Sequence, residues 1–488
     1  MKKNIFFISL VFTLLFFNAA AQYVSPGNNS SLTLDDLVAN SNGVVTYSNG
    51  TYFFNDIVSI SATDTLSILS DGNLRIHENI LWTIEGVLII DPPSSFQIQQ
   101  VDGDANFQGI RFDQSSASFI HNLSIAGCGG IKLVDSDMNF TACQLMSFGQ
   151  EYTTAAIDLF NSSPQIRDCT FDHNAGPAVA SAANGSSSPQ IMNNTINANV
   201  TVNSNTPQIN LGTSDGLTPI LIDGNIVDGQ YDMAGGIAVA TLAGGNATAV
   251  ISNNQIRNNR YGVAIIGSNI DATITGNIIL DNNIQGDPMQ GGSGLNFYGG
   301  ATNTSIVSHN IIRGNLWGIT IQLNAQPNFG DTSNESPGHN EIYDNINNFQ
   351  VYDLYNNTPD DIMALNNFWG TTDLVEAESF IYHQVDDASL GTVFFDPMWI
   401  NPVGVSILGQ ANRVKVNPNP CHEDFSIITE GLENFSYELM NMNGEVVKEA
   451  MVEVKNTERM DVSDLASGFY LLKIKTADAV ITRKVVKQ

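Results

Sequence analysis

The chain has 488 residues, with 19 Lys and Arg against 49 Asp and Glu and a formal charge of −30. A field of that sign repels polyphosphate and anionic bilayers, which excludes a generic nucleic-acid or anionic-membrane binder. With 42% hydrophobic and only 14% charged residues, and with Gly and Asn plentiful, the composition suits short strands joined by left-handed turns, so an all-β chain is expected.

Lys2 and Lys3 precede an apolar run from Ile5 to Phe17, and Ala19-Ala20-Ala21 supplies small residues before Gln22. This pattern predicts a secretory signal peptide over 1–21. No later stretch approaches about 18 uninterrupted apolar residues, so no transmembrane segment is expected after cleavage. The charge is unevenly spread. The last 78 residues hold 10 of the cations and 12 of the acids, and Lys2 and Lys3 fall in the signal, so 23–410 carries 7 cations against 37 acids. That shift, followed by Asn417-Pro418-Asn419-Pro420, predicts a boundary. The expected domains are a lead-in and cap over 22–64, a repeat region over 65–400, a linker over 401–413 and a tail over 414–488.

Within the repeat region an apolar-x-x-Asn-x-apolar-x-x-Asn pattern recurs, as in Ile191, Asn194, Ile196, Asn199 and again in Ile251, Asn254, Ile256, Asn259. Ile274 to Asn282 and Val307 to Asn315 repeat it, and Cys143 and Cys169 take the Asn place in weaker copies. The eight intervals from Cys143 to Asn367 span 224 residues, 28 each. A second element follows each motif, as in Gly236-Ile237-Ala238-Val239, Gly262-Val263-Ala264-Ile265, Gly294-Leu295-Asn296-Phe297 and Gly318-Ile319-Thr320-Ile321. Each reads as a strand with one inward face. Such a unit cannot close its own core and must stack on its neighbours.

These repeats resemble those of the right-handed parallel β-helix family, the pectin-lyase-like superfamily, whose coils each supply three strands. Coils stacked at about 4.8 Å would set the Asn side chains above one another as an amide ladder. Each such Asn is expected to permit a sharp turn and to pass hydrogen bonds onward. Trp82-Thr83-Ile84-Glu85-Gly86 resembles the family's opening coils and Asn367-Phe368-Trp369-Gly370 its exit. Asp373 with Glu376 predicts a capped helix through about Val385 that covers the open end.

The family hosts lyases, hydrolases, epimerases and adhesins, so the fold names no reaction. The resemblance implies that substrate lies along the Gly-Ile-x-Val strands. Their expected outward positions are Lys132, Asp158, Ala238, Ala264, Asn296, Thr320 and Gln350, with Tyr298, Gln322 and Tyr352 two residues on from the last ones. Hydrolysis needs two carboxyls about 5–9.5 Å apart, and the central coils offer Ala and Ile instead. Asn296, Tyr298, Gln322, Gln350 and Tyr352 are candidates to stack on and hydrogen-bond a neutral sugar. Catalytic candidates lie in the flanking loops, where Asp232, Asp287, Arg260 and Tyr261 can converge on one basin. Asp360-Asp361 and Asp386-Asp387 read as turn pairs. No resident metal or cofactor is expected, although Asp102-x-Asp104-x-Asn106 begins like a calcium loop and so acidic a chain can take Ca²⁺ opportunistically. The seven His, including His121, His173 and His309, lack zinc spacing. Cys143 and Cys169 can stack as thiols or bridge; Cys128 and Cys421 have no evident partner.

The tail runs Val414-Lys415-Val416-Asn417-Pro418-Asn419-Pro420 and closes on Asp461-Val462-Ser463-Asp464-Leu465-Ala466-Ser467-Gly468-Phe469-Tyr470 and Arg483-Lys484-Val485-Val486-Lys487. It resembles the C-terminal sorting domain of the type IX secretion system of Bacteroidetes-type bacteria. Asn443-Gly444 is a hairpin signal fitting its small β-sandwich. The resemblance implies contact with the secretion machinery, passage through the outer membrane, tail cleavage, and surface attachment or release. The resulting expectation is a secreted or cell-surface β-helix protein that binds extracellular polysaccharide. One alternative is a glycoside hydrolase or lyase using the Asp232 and Asp287 loops, and another is an adhesin that contacts protein.

Overall fold

A computed structural model describes residues 22–333, 335–400, 414–429, 434–441, 446–453, 457–475 and 480–488. The expected signal segment 1–21, the linker 401–413 and the Asn443-Gly444 turn lie outside the described residues. The chain divides into compact units at Ala180 and Ser181.

The first unit is a right-handed parallel β-helix with three sheets. Its first sheet stacks Tyr23–Val24, Val58–Ile60, Leu81–Ile84, Gly109–Asp113, Ile131–Val134 and Ile157–Phe160 in parallel. The second opens on the antiparallel hairpin Val45–Ser48 with Thr51–Phe54 and continues in parallel through Gly72–Ile76, Phe96–Gln100, Leu123–Ala126, Gln144–Met146 and Thr170–Asp172. The third begins at Ser31–Leu32 and includes Asn139–Thr141 beside Gln165–Arg167. The segment 22–64 thus supplies the first strand of every sheet. It also carries the helix Leu34–Asn40, which opens on a Thr33 and Asp36 capping box.

The second unit repeats the three-sheet plan from Gln190–Met192 onward. Its first sheet is Pro207–Leu211, Gly235–Ala240, Val263–Ile266, Ser293–Gly299, Trp317–Leu323, Leu354–Asn357 and Ile381–Tyr382. Pro207–Leu211 lacks the Gly-Ile signature and was not legible as a strand. Inward positions such as Ile237, Val239, Ile265, Leu295, Phe297, Ile319 and Ile321 are fully buried. The alternation of these strands is therefore the direct trace of a core shared between successive coils.

Two amide ladders run beside that core. Asn194, Asn225, Asn254, Asn277, Asn310 and Asn340 each donate both backbone N–H and Nδ2 to the Oδ1 of the next, at 2.8–3.0 Å, and the ladder ends on Asn367, whose Nδ2 turns to backbone carbonyls. A second ladder joins Asn259, Asn282, Asn315 and Asn345. The expectation that each ladder Asn makes the sharp turn is corrected. The left-handed residue is the one before it, namely Asn193, Gly224, Asn253, Gly276, His309, His339 and Asn366 in the first ladder. Gly and Asn are favoured there because both tolerate positive φ, while the ladder Asn is selected for its amide.

The helix expected through about Val385 is also corrected. It spans only Leu374–Glu378, with Asp373 Oδ1 accepting from Val375 N and Glu376 N. The chain then returns to strand at Ile381–Tyr382 and at Val393–Phe394, which pairs with Ile362–Met363. In the tail, Val414–Asn417, Asp424–Thr429 and Thr457–Asp461 form one antiparallel sheet. Val446–Glu453, Asn434–Met440, Gly468–Lys475 and Val480–Lys487 form another. Phe425 and Ile427 from the first and Leu439, Leu472 and Ile474 from the second share one apolar core, as a β-sandwich requires.

Candidate functional site

In-register parallel pairing stacks the outward side chains of the second unit's first sheet into columns. One column reads Ala238, Ala264, Asn296, Thr320, Tyr355 and Tyr382; the other reads Ala240, Ile266, Tyr298, Gln322 and Asn357. Gln350 and Tyr352, expected on these columns, are not on the strand. After Asn345 the chain makes a small hairpin, Ile346–Asn347 against Gln350–Val351, with Asn348 and Phe349 both left-handed at its tip. The detour delays the strand until Leu354, so Tyr355 and Asn357 occupy the predicted places. Gln350 is exposed on the hairpin and reaches Ser379 O at 3.3 Å, and Tyr352 packs its ring 4.8 Å from Trp317.

Asp353 then closes the second ladder. Its Oδ1 accepts from Asn345 N and Nδ2 at 3.3 and 2.8 Å, while Oδ2 is buried without a partner. Burial drives this carboxyl well above the usual carboxylate range.

The loop basin resolves into separate turns. Asp287 caps its own turn, accepting from Met289 N at 3.0 Å and Gln290 Nε2 at 2.8 Å. Asp232 accepts from Asn203 Nδ2 at 2.6 Å. The two turns do approach, since Gln285 Nε2 reaches Met233 Sδ at 3.3 Å, but each carboxylate is held by local donors. Arg260 serves neither. Its Nε donates to Gln290 O at 2.7 Å and its Nη1 to Asn205 Oδ1, and only 9% of the residue is exposed. Arg75, Arg111 and Arg257 each pair with an aspartate at 2.7–3.4 Å. Among the described residues Arg260 has no such partner. Tyr261 lies against Gly235, where an added Cβ would stand 2.2 Å from its ring. Burial pushes its hydroxyl up to about 12, so it stays protonated and offers no base.

The strap from Pro288 to Gly291 overhangs the sheet. It is held by Trp317 Nε1 donating to Pro288 O at 3.0 Å and by Gly292 N donating to Arg260 O at 2.7 Å. Beneath it lies a groove of about 400 Å³ whose walls include Arg260, Tyr261, Asn296, Trp317, Thr320, Gln322, Tyr355 and Asn357. The groove merges parts of both sequence-derived sites: Arg260 and Tyr261 come from the loops, and Asn296 and Gln322 from the strip. Asp232, Asp287, Tyr298, Gln350 and Tyr352 are not among its lining residues. Trp317, Tyr355 and Asn205 were missed: the hairpin sets the register of Tyr355, the strap carbonyl of Pro288 holds Trp317, and Arg260 reaches Asn205 just ahead of the strand Pro207–Leu211. Trp317 and Tyr355 rings meet edge to face at 5.3 Å, and Tyr355 stacks on Tyr382 at 4.6 Å and 7°. No lining residue is a carboxylate, and Arg260 is the charged one.

The remaining polar motifs are locally engaged. Asp102 and Asp104 pair with Arg75 and His77, and Asn106 donates to Glu151. His121 and His173 pair with Asp91 and Asp172, and His309 meets His339 at 3.4 Å. Asp361 and Asp387 accept from the turn amides of Thr392 and Ser389, Asp386 accepts from His383 N, and Asp360 accepts from Asn324 Nδ2. Among the described residues no group of three or more His, Cys, Asp or Glu is placed to hold a metal ion. No helix there is long and apolar enough to cross a membrane.

Residues 64–227 match the family described as right handed beta helix region, and residues 246–373 match a protein family of unknown function, DUF1565, itself a right-handed β-helix family. Residues 415–488 match the secretion system C-terminal sorting domain. No curated protein matches the chain. The tail marks the protein as secreted or cell-surface and as a client of the type IX machinery. The three-sheet coils, the twin ladders and the terminal sandwich agree with these matches: the chain is a right-handed parallel β-helix protein carrying a type IX secretion C-terminal sorting domain.

Proposed function

We propose that this secreted protein binds extracellular polysaccharide in the groove beneath the Pro288 to Gly291 strap, and holds it without cleaving it. The observation that carries the reading is the lining itself: aromatic walls, amides and one buried cation, with no carboxylate. Glycoside hydrolysis calls for two carboxyls across the scissile bond, and elimination calls for a base that Tyr261 does not provide. Trp317 and Tyr355 offer apolar ring surface to a sugar, and Asn296, Gln322 and Asn357 supply donors and acceptors for its hydroxyls. A buried guanidinium with no acidic partner among the described residues is costly to maintain. Within this groove, whose lining holds no acid, it favours a glycan bearing a carboxylate or sulfate over the neutral sugar expected from the strip alone. That local preference acts against the long-range repulsion of the −30 chain.

The test is a panel of acidic and neutral polysaccharides incubated with the full chain, scored for both retention and product release. Retention of acidic members with no new reducing ends or unsaturated sugars supports the reading. Product release that survives Arg260→Gln but not Asp232→Asn or Asp287→Asn replaces it with the enzyme alternative.

A further inference from the structure

We infer that Cys143 and Cys169 are joined in the secreted protein by a disulfide that ties one coil to the next. The strands on both sides of this corner fix the placement. Thr141 pairs with Arg167 before the cysteines and Gln144 with Thr170 after them, so Cys143 stands directly beside Cys169. Neighbouring strands lie about 4.8 Å apart, inside the 4.4–6.8 Å range of Cα separations that a disulfide spans. The Cys143 N–H donates to Cys169 Sγ at 3.4 Å. Each thiol also points at the carbonyl two residues before it, Thr141 O at 3.3 Å and Arg167 O at 3.1 Å, so the two side chains share one orientation and stack.

The first ladder explains why the pair matters. From Asn194 to Asn367 each step is made by two hydrogen bonds, one from the backbone and one from the side-chain amide. Between Cys143 and Cys169 the side-chain step runs from thiol to thiol instead of amide to amide, and a bond between the sulfurs makes that tie covalent. The sorting tail sends the chain out of the cell, through compartments where disulfides form and persist. Both cysteines are 1% exposed once the coils close, so oxidation accompanies folding. One thiolate attacks the disulfide of an exchange oxidoreductase and the second displaces it from the mixed disulfide. Two electrons and two protons end on the oxidoreductase as a dithiol. Cys128 sits in another corner, where its Sγ accepts from Gly130 N at 3.4 Å, and remains a thiol.

The experiment takes full chain recovered from an oxidising compartment, alkylates it under denaturing conditions with and without prior reduction, and maps tryptic peptides. Cleavage at Arg111, Lys132, Arg167 and Arg257 places Cys128, Cys143 and Cys169 on separate peptides, 112–132, 133–167 and 168–257. The expected result is that 133–167 and 168–257 travel as one species that reduction splits in two, while 112–132 is alkylated without reduction. Alkylation of Cys143 and Cys169 in the unreduced sample, or linkage of either to Cys128, would overturn the proposal.

Discussion

Asn277→Ala removes one rung of the first ladder, and its cost can be worked from the bonds that rung makes. Asn277 is fully buried. Its Oδ1 accepts from Asn254 N at 3.0 Å and Asn254 Nδ2 at 2.9 Å, and its Nδ2 donates to Ile251 O, Thr275 O and Asn310 Oδ1. Asn254 Nδ2 keeps Ile222 O, and Asn310 Oδ1 keeps Asn277 N. What remains bare is the Asn254 N–H and one Asn254 amide proton. At about 1–3 kcal/mol for each buried group left unsatisfied, the loss is about 2–6 kcal/mol. The lower half is expected, because the vacated amide volume can admit a water. Coils interact mainly with their neighbours, so the damage is local and hydrogen exchange is the suitable assay. Amides around Asn254 should exchange about 30- to 700-fold faster than in the parent, by the factor of ten per 1.4 kcal/mol. Gln255→Ala, at an exposed position one residue on, should change little. Exchange within threefold of the parent in the Asn277→Ala chain would refute the reasoning.

Asp353→Asn separates a neutral ladder terminus from a buried acid. The folded chain raises this carboxyl from its ordinary 3.8, so folding favours the protonated form. That contribution is fully present below the unfolded value and is lost as pH rises through the folded one. Urea unfolding should therefore show the stability of the variant gaining on the parent as pH climbs above about 4, and a pH-independent difference contradicts the assignment. Trp317→Ala should weaken glycan retention about tenfold or more by removing a wall of the groove, while Tyr298→Ala, on the same face but outside it, should leave retention unchanged in a pull-down series. Gly235→Ala places a Cβ 2.2 Å from the Tyr261 ring, so the ring must shift. Tyrosine absorbance titration should then find its hydroxyl easier to ionise than about 12.

The fold was legible because in-register stacking forces the same residue type into the same place on every coil. Asn194, Asn254, Asn277 and Asn310 repeat for that reason, as do the Gly-Ile strands. Where another residue fills the place, the pattern fades. Position 229 is Gly, with an added Cβ only 2.1 Å from Asn258 O. Gln208 reaches in from the preceding strand instead, accepting from Asn199 and donating to Asn259 Oδ1 at 2.9 Å. The groove was half legible. Asn296, Thr320 and Gln322 follow from strand alternation, and the approach of the Asp232 and Asp287 turns follows from coil order. Which way a loop carboxylate points depends on the donors that reach it, Met289 N and Gln290 Nε2 for Asp287 and Asn203 Nδ2 from another coil for Asp232, and no periodicity reports that. The register of Tyr355 depends on the inserted hairpin at 346–351, whose length a repeat pattern does not encode.

The central claim is that a buried guanidinium with no acidic partner among the described residues, in a groove whose lining holds no acid, binds an acidic glycan. Equilibrium titration of one acidic oligosaccharide into the parent chain and into Arg260→Gln, at low and high salt, tests it most directly. Charge-assisted hydrogen bonds contribute about 1.5–3 kcal/mol each. The parent should therefore bind at least about tenfold tighter at low salt and lose part of that margin at high salt, with the ligand recovered intact. Equal affinity in both chains, or a cleaved ligand, contradicts the account.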